Sequence, residues 1–275
     1  RFNIHPNPNL QSLHLEQWVN NDAIARGFPT PQILHVDTSR PHSPYPFQLI
    51  EWSDGVPLRA ASEEVVRKVL GQLGRELRKL HDKPISGLIG RVANTHPVRS
   101  WTSFILSDFN ANISYATKNN LVSSSKAEDI NHVVDNLFHE LAWGWDTNIP
   151  YEDNDIRLIH GDLSYDNILI DGATQDLKAV IDWEDSVLGD PIFELAGLAT
   201  FHPIERHASF IDSYYGGREK PTDFEYRFWV YYLRIALAKA VHRHRFGYTD
   251  EPIYRNNPDM CYQAANLRIG LALEK

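Results

Sequence analysis

The chain has 275 residues, 42% of them hydrophobic and 23% charged, with 15 Gly and 16 Pro; this is enough to bury a full core and excludes a disordered or fibrous chain. Lys and Arg total 27 against 36 Asp and Glu, for a formal net charge of -9, which argues against a nucleic-acid or anionic-membrane partner and favours a cationic small ligand. Cys261 is the only cysteine, so an intramolecular disulfide framework and a cysteine-rich zinc site are excluded, and a reducing cytoplasm is expected.

The first residues, RFNIHPNPNL, carry no initiator Met, basic n-region or apolar h-region, and the chain is expected to lack its beginning. Leu10 to Arg26 carries apolar Leu10, Leu13, Trp18, Ile24 and Ala25 among polar residues and is stopped by Gly27, Pro29 and Pro31, which predicts a helix. Gln32 to Val36 and Phe47 to Trp52 predict strands, separated by SRPHSPYP, which no helix or central strand tolerates. The turn-rich WSDGVPL then marks a lobe boundary, giving a small lobe over 1–55 and a larger one over 56–275.

Ser62 is a candidate N-cap with Glu63 and Glu64 in the first turn, and Val65, Val69, Leu73, Leu77 and Leu80 recur at helical spacing up to His81. Trp101 to Tyr115 and Lys126 to Trp145 also predict helices, joined by the polar loop TKNNLVSSS. Pro191 to Phe201, Glu205 to Tyr215, Phe224 to Phe246 and Asp259 to Leu273 predict the helices of a C-terminal lobe. The apolar stretch from Phe228 to Val241 is interrupted by Arg234 and Lys239 and is too short to span a bilayer, so no membrane segment is expected.

The chemistry is concentrated in residues 158–191, LIHGDLSYDNILIDGATQDLKAVIDWEDSVLGDP. Leu158 and Ile159 are an apolar lead-in, and Ile168 to Ile170 and Ala179 to Ile181 predict a hairpin around DGATQD. Asp182, at the end of the second arm, then converges on the loop from His160 to Asn167. His160, Asp162 and Asn167 carry the H-x-D-x-x-x-x-N spacing of a phosphoryl-transfer loop. Asn167 and Asp182 offer the hard oxygen donors that Mg²⁺ takes, and Asp162 the carboxylate that orients an acceptor hydroxyl and receives its proton.

These blocks, with Gly189-Asp190-Pro191 after them, resemble the aminoglycoside phosphotransferase family, relatives of choline kinases and protein kinases. The resemblance extends more weakly over Pro29 to Val36, Phe47 to Leu58 and Leu73 to His81. It implies an α+β, two-lobed, protein-kinase-like fold with a small antiparallel sheet lobe, incomplete at the N-terminus, and a mainly helical C-terminal lobe. It further implies that the hinge backbone near Glu51, Trp52 and Ser53 holds the base of ATP or GTP, that Asp162 is catalytic and that Asn167 and Asp182 bind Mg²⁺. By the same resemblance His160 and Asp190 would brace the loop and Glu16 would orient a basic phosphate-binding residue, for which Arg1 is the candidate. No glycine-rich phosphate loop precedes Arg1.

The expected function is Mg²⁺-dependent transfer of the nucleotide γ-phosphate to a hydroxyl of a small molecule, an aminoglycoside or another amine-bearing acceptor. Hygromycin-type phosphotransferases are the first subgroup to test, because LRIALAKAV near the C-terminus resembles theirs. The alternative is a catalytically silent kinase-like protein that binds nucleotide or a partner. Asp182-Trp183-Glu184 stands where protein kinases have D-F-G, and no A-P-E follows, which disfavours a protein kinase. Glu184, Asp185 and Glu194 are as readily solvated or helix-start charges as ligands for a cation. His242 and His244, two apart on a helix, read as a basic helix end, and Trp101, Trp143, Trp145 and Trp229 read as packing residues.

Overall fold

A computed structural model of the chain describes residues 10–40, 43–85, 90–92, 101–107, 109–144, 156–200, 207–247 and 262–275. In chain order the elements are α1 (Leu10–Ala25), β1 (Ile33–Asp37), β2 (Phe47–Ile50), β3 (Val56–Pro57), α2 (Glu63–His81), β4 (Gly90–Arg91), α3 (Trp101–Ser107), α4 (Phe109–Lys118) and α5 (Ser124–Gly144). They continue with β5 (Arg157–Ile159), β6 (Ile168–Ile170), β7 (Leu177–Val180), β8 (Val187–Gly189), α6 (Ile192–Ala199), α7 (Ala208–Tyr215), α8 (Phe224–Arg245) and α9 (Tyr262–Leu273). The contacts group them into one unit of Arg1–Pro97, Asp153–Pro191 and Glu205–Glu219, and a second of Val98–Glu152, Ile192–Ile204 and Lys220–Lys275.

All the strands among the described residues lie in the first unit. β1 and β2 pair antiparallel, β6 stands between β3 and β7, and β8 stands between β4 and β5, every pair antiparallel. The connector read as WSDGVPL therefore contains a strand, β3, whose Val56 and Pro57 face Ile170 and Leu169.

α2 forms for the reasons its sequence announces. The Ser62 hydroxyl accepts from the Val65 amide, Glu63 and Glu64 meet the positive end of the helix dipole, and Arg78, Lys79 and His81 sit in its last turn. Val65, Val69, Leu73, Leu77 and Leu80 are all buried. Gly74 permits the approach of α7, because a Cβ there would strike the Phe210 carbonyl oxygen. His81, also buried, shares a 3.0 Å hydrogen bond through Nδ1 with the Tyr214 hydroxyl.

α1 buries a different face from the one its apolar residues suggest. Leu13, Glu16, Val19, Asn20 and Ala23 turn inward, whereas Trp18 stays 43% exposed. Burying two polar side chains on one helix face is costly unless they are hydrogen-bonded, so this face carries a polar arrangement.

The second unit is helical. α8 packs on α9, α6 and α4, and Arg234 lies buried in it, donating to the carbonyls of Phe104 and Ile105. Trp101 is 1% exposed and donates its indole N–H to the Tyr231 hydroxyl at 2.8 Å, a core residue as its helical spacing suggests. The segment read as one helix from Trp101 to Tyr115 is two elements, α3 and α4. No helix among the described residues is long and apolar enough to cross a membrane.

Candidate active site

The hairpin β6–β7 is the frame. Its register pairs Ile168 with Val180, so Asn167 stands opposite Ile181, and the Ile181 amide donates to the Asn167 carbonyl at 2.9 Å. Asp182 follows directly, half-buried, with φ 71° and ψ 67°. A non-glycine residue in this left-handed region costs about 1–2 kcal/mol, least for Asp and Asn, and such a conformation persists only where its surroundings hold it.

His160 ties the preceding loop to the same strand end. It is fully buried, Nε2 donates to the Ile181 carbonyl at 2.9 Å, and Nδ1 accepts from the Asp162 amide at 3.3 Å. Both bonds need a neutral ring with its hydrogen on Nε2. Burial keeps the imidazole pKa below its ordinary value. Gly161 has φ +83°, and a Cβ on it would run into the Asp185 carbonyl; the loop and the turn after Asp182 touch backbone to backbone.

Asn167 Nδ2 donates to the Asp162 backbone oxygen at 2.9 Å and to Asp162 Oδ2 at 3.2 Å. With both hydrogens of the amide used on Asp162, Asn167 Oδ1 is left as a bare acceptor. Asn167 Oδ1 and the Asp182 carboxylate are therefore hard oxygen donors of the type Mg²⁺ takes, an ion that completes its shell with waters and phosphate oxygens. Among the described residues no three of His, Cys, Asp or Glu converge on a self-sufficient metal cage.

Beside Asp182 lies a pocket of about 420 Å³ within the first unit. Ile33, Ile50, Leu169 and Ile181 supply apolar walls, Glu51, Trp52 and Ser53 form one rim, and Glu16, Thr30 and Asp182 are among its polar lining. The Glu51 amide is spent on the Gln32 carbonyl, leaving the Glu51 carbonyl and the Ser53 amide without partners among the described residues. The Ser53 hydroxyl is also buried and unpartnered. An apolar slot edged by free backbone groups suits a flat heterocycle that pairs along one edge. Asp54 next to this rim forms an ion pair with Lys178, which keeps its carboxyl below the usual range.

Glu16 is buried, and Gln48 Nε2 donates to its Oε2 at 2.9 Å. Asp190 is buried as well. Arg1 lies outside the described residues, as do Trp145 and Cys261. Asn20 and Thr30 belong to the polar lining of the pocket and were not anticipated from sequence. Asn20 could have been found, since it follows Glu16 by four residues and shares its helix face.

Two of the buried imidazoles, those of His81 and His160, imply a pH dependence of stability. Burial, with Arg157 and Arg78 adding to it, pushes His81 down to about 3, and His160 is shifted the same way. Below about pH 6.5 the unfolded chain therefore binds protons that the folded chain refuses. Stability is expected to fall as pH drops through 6.5 toward 5, His81 alone contributing up to roughly 1.4 kcal/mol per pH unit and His160 acting in the same direction. Urea midpoints of wild type and His81→Gln at pH 7 and 5.5 check this: the variant should show a clearly shallower fall, and an unchanged slope contradicts it.

A family model described as the Phosphotransferase enzyme family matches residues 4–229. Among solved structures, the chain is similar to a thermostable mutant of aminoglycoside phosphotransferase APH(4)-Ia, with TM-score 0.67, 19% identity, and coverage of 96% of this chain and 83% of that one. The same mutant in ternary complex with ADP and hygromycin B gives TM-score 0.67 at 18% identity, covering 96% and 82%. A choline/ethanolamine kinase family protein from Mesorhizobium loti gives 0.60 at 20%, covering 96% and 79%. At such identities these likenesses establish the fold, α+β and protein-kinase-like. Acyl-CoA dehydrogenase family member 11 from Homo sapiens is 42% identical over 55 residues, 20% of this chain and 7% of that protein. Its Gallus gallus counterpart is 39% identical over 64 residues, 23% of this chain and 8% of that protein. The matches thus span less than a tenth of these relatives' length.

Proposed function

The chain belongs to the phosphotransferase enzyme family, and on that premise we propose that it transfers the γ-phosphoryl group of ATP or GTP to a hydroxyl of a small molecule. The observation that carries this reading is the hairpin register, which aligns Asn167 and Asp182 at one strand end with Asp162 bonded to Asn167. In this reading residues 1–55 belong to the nucleotide-binding lobe and 56–275 to the lobe with the catalytic loop and acceptor site.

The base lies between the apolar walls and pairs with the Glu51 carbonyl and the Ser53 amide. Mg²⁺, held by Asn167 and Asp182, would neutralise charge on the phosphate oxygens. Asp162 accepts the acceptor's hydroxyl proton as its oxygen bonds to phosphorus and the nucleoside diphosphate leaves. His160 and Asp190 hold the loop, and Glu16 orients a basic phosphate-binding group, for which Arg1 is the candidate. The ternary complex of the APH(4)-Ia mutant with hygromycin B and the net charge of -9 favour an amine-bearing acceptor, an aminoglycoside among them.

A coupled assay of nucleoside diphosphate release, run over a panel of amino sugars, amino alcohols and neutral alcohols with Mg-ATP and Mg-GTP, tests this. Acceptor-dependent release is expected. Nucleotide binding without turnover on any acceptor would favour the silent kinase-like protein instead.

A further inference from the structure

Three polar side chains from three separate stretches of the first unit meet at one oxygen, the hydroxyl of Thr30. Asn20 Nδ2 donates to Thr30 Oγ1 at 3.1 Å and to the Pro31 carbonyl at 3.0 Å, while Asn20 Oδ1 accepts from the Ile33 amide at 3.0 Å. A carbonyl on one side and an N–H on the other leave that amide a single orientation. The Trp183 indole, which can only donate, reaches the same Oγ1 at 3.0 Å. Both lone pairs of the hydroxyl are therefore filled, and its own hydrogen remains as a donor at the wall of the pocket that Thr30 shares with Asp182.

The consequence reaches the site through two short covalent paths. Trp183 directly follows Asp182, whose backbone sits at φ 71°, a conformation that its surroundings must hold. The indole is 2% exposed and wedged edge-on against Phe28 at 5.5 Å and beside His160 at 4.7 Å. Those ring contacts seat the indole, and the bond to Thr30 anchors its N–H edge. On the other side, Asn20 lies one turn beyond Glu16 on the buried face of α1. One hydroxyl thus sets the register between the helix carrying Glu16 and the turn carrying Asp182.

We infer that Thr30 is a positioning residue for the metal-binding carboxylate: it accepts from Asn20 and Trp183 together and so holds Asp182 in its metal-binding orientation. The inference rests on the assignment of Asp182 in the proposed function. Thr30 acts on Asp182 through Trp183, the next residue, and groups that orient a metal ligand carry roughly 10- to 100-fold in metal affinity.

Thr30→Val keeps the shape and removes the acceptor, Thr30→Ser keeps the hydroxyl, and Trp183→Phe breaks the same bond from the other end. Two readouts are taken on each: the Mg²⁺ concentration that half-saturates turnover at fixed nucleotide, and calorimetric titration of Mn²⁺ into protein with a non-hydrolysable nucleotide. A third, the hydrogen exchange of the Trp183 indole N–H, identified by its loss in Trp183→Phe, reports the bond without any ligand. Thr30→Val and Trp183→Phe should both raise the half-saturating metal concentration about tenfold or more and weaken Mn²⁺ binding alike. Thr30→Ser should stay within about twofold, and Thr30→Val should speed the indole exchange. Faster exchange with unchanged metal dependence would overturn the inference, leaving Thr30 a packing residue, and so would failure of Thr30→Ser to restore the metal dependence. A wild-type protein that binds no metal–nucleotide would overturn the proposed function itself, while its indole exchange would still report the bond.

Discussion

Asp162→Ala is expected to lower kcat roughly 10²- to 10⁴-fold while leaving the nucleotide KM within a few-fold of wild type. Asp162 is half-buried, its amide is fixed by His160, and its Oδ2 is engaged by Asn167. Its Oδ1 has no partner among the described residues and remains able to take a proton. Asp162→Asn separates proton acceptance from shape, because it preserves size and loses the basic oxygen. An equal loss in both variants is the expected result; undiminished turnover in Asp162→Asn contradicts the role of base.

Gly161→Ala should be the most damaging small substitution for stability. The new methyl would meet the Asp185 carbonyl oxygen and carbon, backbone atoms that cannot rotate away. The residue would also have to adopt φ +83° with a Cβ, which by itself costs about 1 kcal/mol. A total of about 3 kcal/mol is expected, seen as a melting temperature lower by roughly 5–10 °C for a chain of this size. Gly217→Ala is the internal control, since it shares a positive φ but has nothing within reach of its Cβ. Equal effects at the two positions would show that the close approach contributes nothing.

The elements readable from sequence are those whose stability is local. α2 announces itself through its cap, its end charges and a repeat of apolar residues that all become buried. The β6–β7 hairpin is readable because a turn sequence sits between two apolar runs, and its register then determines that Asn167 faces Ile181.

What escaped is stabilised by partners far away in the chain. β4 is two residues long and β8 three, too short for any period to register, and both exist because β8 pairs with β4 and with β5. The apolar residues of α1 alone do not mark its buried face, because Glu16 is satisfied inside by Gln48, and Asn20 by Thr30, Pro31 and Ile33. Thr30 was invisible for the same reason: nothing in its neighbourhood of prolines indicates that an indole from residue 183 will come to its hydroxyl.

Phosphorus-31 spectra of the protein with Mg-ATP or Mg-GTP, recorded with and without each acceptor hydroxyl, test phosphoryl transfer most directly. Phosphoryl transfer gives a new phosphomonoester signal that grows in step with the nucleoside diphosphate, requires Mg²⁺ and is absent with Asp162→Asn. Nucleoside diphosphate appearing together with inorganic phosphate alone, or no consumption of either nucleotide with any acceptor, would contradict it.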